Sequence, residues 1–231
     1  MIISNSVKEK LKDPWWTLNH LYRIVDKDGN DIPFQCNWAQ KDMFENHHNR
    51  NVILKARQLG STTFWCLYFL NKALFQPNKH LGIISYNLAS AHVIFNKVIK
   101  HAIKSLPEPV KNLKQCQVVS DSAREVSFAN GSSIRVDTNM RSGTLSGLLI
   151  TEFGKICARY PQKANEILTG SINTVSTNSL CVIESTAEGA AGAFYEMCQD
   201  AKKNKGELNP LEWKFFFYPW WGNTKEYKLE I

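Results

Sequence analysis

The sequence lacks the features that mark several common classes of protein. Its six cysteines form no Cys-x-x-Cys pair and show no spacing typical of zinc ligands, which favours reduced, partly buried thiols over a disulfide framework or a zinc site. No signal peptide is recognisable, and no apolar run approaches the roughly 20 residues that a membrane span requires. We therefore expect a soluble cytosolic protein with no membrane partner.

Acidic residues are also in short supply. Asp and Glu number 21 against 28 Lys and Arg, which gives a formal net charge of +7 over 231 residues. This balance favours polyanionic partners without identifying one. The length lies within the range of a single compact α/β domain.

A phosphate-binding loop is recognisable, although its usual lysine is missing. In the loop G-x-x-x-x-G-K-[ST], backbone N–H groups and a helix N-terminus hold phosphates, the lysine neutralises them and the hydroxyl binds magnesium. Here Gly60 and Thr62 match the pattern, but Ser61 takes the lysine position and Lys55 stands where the first glycine would be. Lys55 and Arg57 are then the cations at the front of the loop. Alone, the match is also explained by a basic loop that caps a core helix.

Short continuous apolar runs alternate with helix-like sequence after residue 50. Such runs are typical of strands buried on both faces of a parallel sheet. Residues 62–75 and 89–106 have the apolar patterns of helices. We therefore predict an α/β fold with a mainly parallel sheet. The apolar runs are residues 52–54, 81–84, 148–150 and 180–183.

One antiparallel hairpin interrupts this alternation, and another precedes it. Asn130-Gly131 between residues 125–128 and 133–136 suits a type I′ turn and predicts a hairpin inserted into the main sheet. A second hairpin is predicted within residues 21–34. We divide the single domain into an N-terminal preface of residues 1–50 and a core of residues 51–231 that begins with the strand before the loop.

Polar residues follow each buried strand, where ligands of parallel α/β sheets bind. The first strand runs into the loop at Lys55, and the others end in Ser85-Tyr86-Asn87, in Thr151-Glu152 and in Glu184-Ser185-Thr186-Ala187. In nucleotide hydrolases of this class, a carboxylate at the end of the strand beside the phosphate loop orients and activates the water that attacks the terminal phosphate. We assign that role to Glu152. The usual preceding aspartate is replaced by Thr151.

Five segments occur in the order that one family of proteins shows, over about residues 15–222. They are Asn37-Trp-Ala-Gln40, Lys55-Ala-Arg-Gln-Leu-Gly-Ser-Thr-Thr63, Gly143-Thr-Leu-Ser-Gly147, Ile150-Thr-Glu-Phe-Gly-Lys-Ile156 and Ile183-Glu-Ser-Thr-Ala-Glu-Gly189. Together they resemble the ATPase domain of a tailed-phage large terminase, the motor that packages DNA into procapsids. The resemblance implies a RecA-like P-loop (ASCE) three-layer α/β fold with a mainly parallel central sheet and the hairpin insertion.

The resemblance also implies a nucleotide site built around the loop. Gln40 is expected to read the adenine edge, so the preface of residues 1–50 contains the adenine-side segment and residues 51–231 form the P-loop ATPase core. Lys55 or Arg57 is expected to contact the β- and γ-phosphates, because some terminases carry their phosphate lysine at the front of the loop. The other loop residues of the predicted site are Gln58, Gly60, Ser61, Thr62 and Thr63.

Further roles follow from the same resemblance. Thr62 is expected to bind magnesium together with Glu152, the catalytic base, and Ser185-Thr186-Ala187 to sense the γ-phosphate and couple hydrolysis to DNA movement. Arg141 is expected to reach the nucleotide of a neighbouring subunit, and we prefer it to Arg135, which the hairpin should occupy. An ordinary surface arginine explains Arg141 equally well.

The implied cofactors are ATP and Mg²⁺, and the implied partners are double-stranded DNA, the portal protein and the small terminase subunit. A homo-oligomeric ring on the portal in the host bacterial cytoplasm follows from the same resemblance. Large terminases also carry a C-terminal nuclease domain, whereas this sequence ends at Ile231, just after the aromatic segment 213–221. We therefore expect no nuclease activity, an exposed aromatic tail that packs against a missing partner, and a split subunit or prophage remnant.

Two alternatives stay open. The first is a catalytically silent DNA-binding or assembly module that retains the fold. Loss of both the loop lysine and the strand aspartate also leaves open a slow or inactive ATPase. A translocase of the helicase type would require a second RecA-like lobe, for which the sequence has no room.

Overall fold

The structure is a computed structural model and describes residues 5–141, 143–204 and 206–222. Strands and helices alternate over most of this range. The strands are β1 Arg23–Val25, β2 Asp31–Pro33, β3 Arg50–Lys55, β4 His80–Ile84, β5 Val118–Asp121, β6 Glu125–Phe128, β7 Ser133–Asp137, β8 Leu145–Ile150, β9 Val175–Ser185 and β10 Trp213–Tyr218. The α-helices are α1 Asn5–Lys10, α2 Pro14–His20, α3 Trp38–Asn46, α4 Ser61–Phe75, α5 Leu88–Ile94, α6 His101–Ser105, α7 Glu108–Lys111, α8 Phe153–Arg159, α9 Pro161–Glu166 and α10 Ala193–Lys203.

Eight strands form the central sheet, in the order β10-β3-β9-β8-β4-β7-β6-β5. Neighbours from β10 to β7 are parallel, and β6 is antiparallel to both of its neighbours, β7 and β5. The predicted α/β fold with a mainly parallel sheet and a hairpin insertion is therefore confirmed. The predicted type I′ turn is wrong, because Gly131 has positive φ but Asn130 does not, and that turn requires positive φ at both central residues. One assumption is wrong: β9 lies between β3 and β8, so the strand that precedes Glu152 is not beside the loop strand.

Both faces of the sheet are covered, which gives three layers. Along each buried strand, successive residues belong to different apolar clusters because side chains alternate between the faces. Ile53 and Val182 pack with α4, whereas Val52, Cys181 and Ile183 pack on the opposite face with residues of α8 and α10. This double burial explains why the strands appear in the sequence as continuous apolar runs.

The predicted helix after the loop is α4, which begins at Ser61 and ends at Phe75. Ten of its 15 residues are buried, as its almost uniformly apolar sequence requires. The second predicted helix is α5, a π-helical segment Phe95–Lys100 and α6 in succession. Among the described residues, no helix is both long and apolar enough to cross a membrane.

The N-terminal preface packs into the same apolar cluster as α4. Its predicted hairpin is present as β1 and β2, which pair antiparallel. Leu18, Tyr22 and Met43 are fully or almost fully buried in that cluster. The Tyr22 hydroxyl also donates a hydrogen bond to Asn71 Oδ1 of α4, at 2.9 Å.

The aromatic segment near the C-terminal end is not an exposed tail, and this expectation was wrong. Residues 213–218 form β10, which pairs parallel to β3. Phe216 and Tyr218 are buried, whereas Phe217 and Trp221 are at least half exposed. An edge strand with alternating aromatic residues buries one face and leaves the other at the surface.

Candidate functional site

The loop between β3 and α4 bends sharply at two residues in the left-handed region. Gln58 has φ = +61° and Gly60 has φ = +68°. Left-handed backbone is uncommon for residues other than glycine, and it concentrates at functional sites. A Cβ atom at position 60 would lie 2.7 Å from Gln40 Nε2, so both backbone angle and close approach require glycine there.

Helix α3 supports this loop from the N-terminal preface. Its capping box joins Asn37 and Gln40, and Asn37 Nδ2 donates to the carbonyl oxygen of Leu59 at 3.1 Å. Gln40 Nε2 donates to the carbonyl oxygen of Gly60 at 2.9 Å. Gln40 is 3% exposed. Its side chain therefore fixes the loop in this structure, and contact with adenine stays a prediction.

A polar cleft of about 520 Å³ opens at the carboxyl ends of β3, β9 and β8. It brings residues of the loop together with the side chains that follow two other strands. The residues that line the cleft are Lys55, Arg57, Gln58, Glu152, Lys155, Arg159, Ser185, Thr186 and Glu188. Four of them are cationic, so the cleft suits a polyanionic ligand.

Glu152 lies at the tip of the strand β8 with unusual backbone geometry. Its φ is +54°, and it precedes α8 without making a side-chain capping bond. Gln58, Asn78 and Glu152 are the non-glycine residues with positive φ in the described parts of the chain, and two of these three line the cleft. Glu152 is 51% exposed, with Lys155 Nζ 3.9 Å from its Oε2. It is therefore open to a ligand.

A second cleft, of about 540 Å³, meets the first at Glu152. Thr62, Thr63, Ser85 and Thr151 are among the residues that line it. Thr151 Oγ1 donates to Ser85 Oγ at 3.2 Å, and Thr151 is 1% exposed. Thr151, where the predicted motif would have an aspartate, is thus a neutral, buried and hydrogen-bonded side chain.

Sequence reasoning did not include Glu184 among the site residues, although its carboxylate contacts the first two residues of α4. It is 1% exposed at the end of β9, and its carboxylate accepts hydrogen bonds from both Ser61 Oγ and Thr62 Oγ1. In the described part of the chain, no ion pair involves Glu184. The available signal was an acidic residue directly after the apolar run 180–183.

Helix α8 adds two cations that sequence reasoning also missed. Lys155 and Arg159 line the first cleft, and both contact Tyr86, which follows β4. Arg159 Nη1 donates to the Tyr86 hydroxyl at 3.3 Å, and Lys155 Nζ lies 4.2 Å from the centre of its ring. The available sequence signal was the spacing: Lys155 follows Glu152 by three positions, and Arg159 follows Lys155 by four. Residues three and four apart lie on the same side of a helix.

Of three further predicted residues, Arg141 and Ala187 do not line the first cleft, whereas Ser185 does. Arg141 is 58% exposed and pairs with Glu166 of α9, at 2.6 Å between Nη2 and Oε2. Ala187 lines an adjoining apolar cavity with Gly189 and Phe194. Ser185 is in the cleft, and its hydroxyl is a buried polar group without a hydrogen-bond partner among the described residues. The proposed reach of Arg141 to a second subunit stays a prediction.

The cleft brings a glycine-containing loop, which lies between a strand of a mainly parallel sheet and a helix, together with a carboxylate that follows another strand. This is the arrangement expected of the predicted RecA-like P-loop fold. No protein-family model and no curated protein matches the sequence. Solved structures nevertheless place the fold more narrowly. The chain is similar to the ATPase domain of the large terminase of Thermus phage P74-26, with 16% identity, a TM-score of 0.58, and coverage of 94% of this chain and 86% of that one.

Two further solved structures are similar to this chain over most of its length. The HK97 bacteriophage large terminase has 15% identity and a TM-score of 0.68 over 90% of this chain and 43% of that one. The large terminase of a thermophilic bacteriophage, solved in complex with ATP-gamma-S, has 10% identity and a TM-score of 0.53 over 83% of this chain and 46% of that one. The chain therefore has the fold of a large terminase ATPase domain, and it spans less than half of these two longer proteins.

Proposed function

We propose that this chain is the ATPase motor domain of a terminase that packages double-stranded DNA into the procapsid of a tailed phage or prophage. The observation that carries the proposal is the shared cleft: Lys55 and Arg57 of the loop line it together with Glu152 from another strand. The terminase-type fold supports the same function. In that setting, basic side chains suit a triphosphate and the strand-tip carboxylate suits the attacking water.

The site divides the work of ATP hydrolysis among a few groups. Backbone N–H groups of the loop and the N-terminus of α4 would hold the phosphates. Lys55 and Arg57 would neutralise them, while Glu152 would orient the attacking water and accept its proton. Gln40 would meet the adenine after a local rearrangement, since its amide is bonded to Gly60 in this structure.

Magnesium fits the residues present, although no described group of three or more His, Cys, Asp or Glu side chains could hold a metal ion alone. At nucleotide sites Mg²⁺ keeps several waters and uses one or two carboxylates together with the substrate phosphates. Thr62 is the predicted ligand, and Glu152 lines the same cleft as Thr62. When bound, the ion would neutralise charge that develops on the terminal phosphates.

The proposal also includes how hydrolysis would be coupled to DNA movement and which partners would take part. Ser185, the last residue of β9, and Thr186 and Ala187, which follow it, would couple nucleotide state to DNA grip. Double-stranded DNA, the portal protein and the small terminase subunit would be partners of a homo-oligomeric ring, in the host bacterial cytoplasm. Arg141 would complete the site of a neighbouring subunit. Contacts to DNA phosphates would make DNA affinity fall steeply with salt concentration.

The variant Glu152→Gln tests the proposal because it removes the base and preserves side-chain shape. We expect ATP turnover to fall by about 10²- to 10⁴-fold, the usual contribution of a general base, with ATP affinity little changed. Glu188→Gln is the matched control, since Glu188 lines the same cleft and has no assigned role. Equal turnover in the wild type and Glu152→Gln, measured with purified protein and DNA, would defeat the motor assignment.

The silent DNA-binding or assembly module is the second candidate. The neutral side chains of Ser61 and Thr151, at positions that usually carry a lysine and an aspartate, favour it. It predicts DNA binding without ATP turnover in the wild-type protein. Turnover that is stimulated by double-stranded DNA and lost in Glu152→Gln would exclude this candidate.

A further inference from the structure

We propose that Glu184 supplies the acidic group of the magnesium site, acting through the hydroxyl of Thr62, in place of the aspartate that is missing at Thr151. The inference rests on the proposed ATPase function, because it concerns the same site. It makes Glu184 a positioning residue for the metal, and it explains how the site could work with a neutral residue at the tip of β8.

The sheet register puts Glu184 beside the position that it would replace. Ile150 of β8 pairs with Ile183 of β9, and Thr151 and Glu184 each follow directly. The two side chains therefore occupy neighbouring positions on the same face of the sheet. Glu184 also pairs with Ile53 of β3, whose side chain packs with α4. The carboxylate of Glu184 thus lies one strand closer to the loop strand β3 than a carboxylate at position 151 would.

The hydrogen bonds of Glu184 orient the expected ligand atom. A threonine hydroxyl has one hydrogen to donate and two lone pairs to accept or coordinate with. Because Thr62 Oγ1 donates its hydrogen to Glu184, its lone pairs stay available for a cation. Ser61 Oγ donates to the other carboxylate oxygen, so both oxygens of Glu184 are fixed.

The electrostatic environment of Glu184 favours a nearby cation. A buried carboxylate is costly unless charge and hydrogen bonds compensate it. The N-terminus of α4 and the two hydroxyl groups supply part of this compensation. Within the described residues Glu184 has no lysine or arginine partner, and a divalent ion bound at Thr62 would supply the missing positive charge. Thr151 adds no second negative charge, since its hydroxyl is neutral and bonded to Ser85.

The test measures metal binding separately from catalysis. ADP affinity would be determined by calorimetry in EDTA and in Mg²⁺, and Mn²⁺ binding in the presence of ADP by electron paramagnetic resonance. For Glu184→Gln we expect unchanged ADP affinity in EDTA, with Mn²⁺ affinity lowered by about 10- to 100-fold, as for other groups that orient metal ligands. Glu108→Gln, which changes an exposed carboxylate of α7 outside both clefts, should keep the wild-type values.

Two additional variants protect the test against a folding artefact. Adding Thr151→Asp to Glu184→Gln should restore metal affinity, because it returns a carboxylate to the neighbouring position. Thr62→Val should lose metal affinity as Glu184→Gln does, and provides the comparison if Glu184→Gln fails to fold. Wild-type metal affinity in folded Glu184→Gln or in Thr62→Val would overturn the inference while leaving the ATPase proposal intact. Absence of ADP binding by the wild type in both buffers would overturn both proposals.

Discussion

The side-chain amide of Gln40 donates a hydrogen bond to the backbone carbonyl of Gly60, with 2.9 Å between nitrogen and oxygen. The bond joins α3 of the N-terminal preface to the last loop residue before α4. Asn37 makes a second such link, to Leu59. The loop conformation is therefore set by residues from a separate part of the chain, which leads to the first prediction.

Gly60→Ala should destabilise the loop and weaken nucleotide binding. The new methyl group would meet Gln40 Nε2, and a left-handed backbone costs a residue with a Cβ about 1–2 kcal/mol. Thermal unfolding and ATP affinity should therefore both decrease. Gly170→Ala is the control, because a Cβ at Gly170 meets no atom within 4 Å. Equal effects of the two substitutions would show that the loop geometry is not a constraint.

Lys55→Ala and Arg57→Ala should each lower ATP affinity, by more than they lower affinity for adenosine. Both side chains line the cleft, and a phosphate contact depends on the triphosphate rather than the nucleoside. Fluorescence titration with the two ligands would measure the difference. Lys104→Ala removes an exposed cation elsewhere and should change neither affinity. Unchanged ATP affinity in both cleft variants would mean that the pocket is misplaced.

Arg141→Ala should affect turnover only when subunits can meet. If Arg141 serves a neighbouring subunit, the rate per subunit of the wild type rises with protein concentration and that of the variant does not. An arginine supplied in this way can accelerate hydrolysis by about 10³–10⁵-fold. Because Arg141 pairs with Glu166, the Glu166→Gln variant should keep the concentration dependence. A parallel rise in Arg141→Ala would leave Arg141 as a surface residue.

The free energy of unfolding should decrease as pH falls below about 6.5, the ordinary pKa of histidine. Burial lowers the pKa of His47 below that value, although hydrogen bonds to backbone groups of α3 raise it in part. Below pH 6.5 the unfolded chain therefore binds more protons at this residue than the folded chain, and stability is lost until pH reaches the folded pKa. The neutral variant His47→Gln should show a shallower dependence in melting experiments, unlike the exposed control His20→Gln. The same pH dependence of stability in the wild type and in His47→Gln would contradict a lowered pKa of His47.

The predicted elements that depend on short-range pattern were confirmed. The loop strand, α4 and the two hairpins follow from alternating burial, from turn chemistry at Asn130-Gly131 and from helix periodicity, all of which operate over a few residues. Glu152 could be placed at a strand tip for the same reason. The aromatic residues 213–218 were misread because an edge strand that exposes alternate aromatic side chains has the composition of a surface segment.

The sequence by itself determined that a glycine-containing loop stands between a buried strand and an apolar helix, because these features are local. Tertiary structure alone decided which distant residues share the site. Thr62 and Glu184 are separated by 122 positions, and they meet only because β9 inserts between β3 and β8. Strand order is set by the packing of whole layers, which no local pattern encodes. For that reason the carboxylate nearest to the loop helix was visible in the sequence as a residue but not as part of the site.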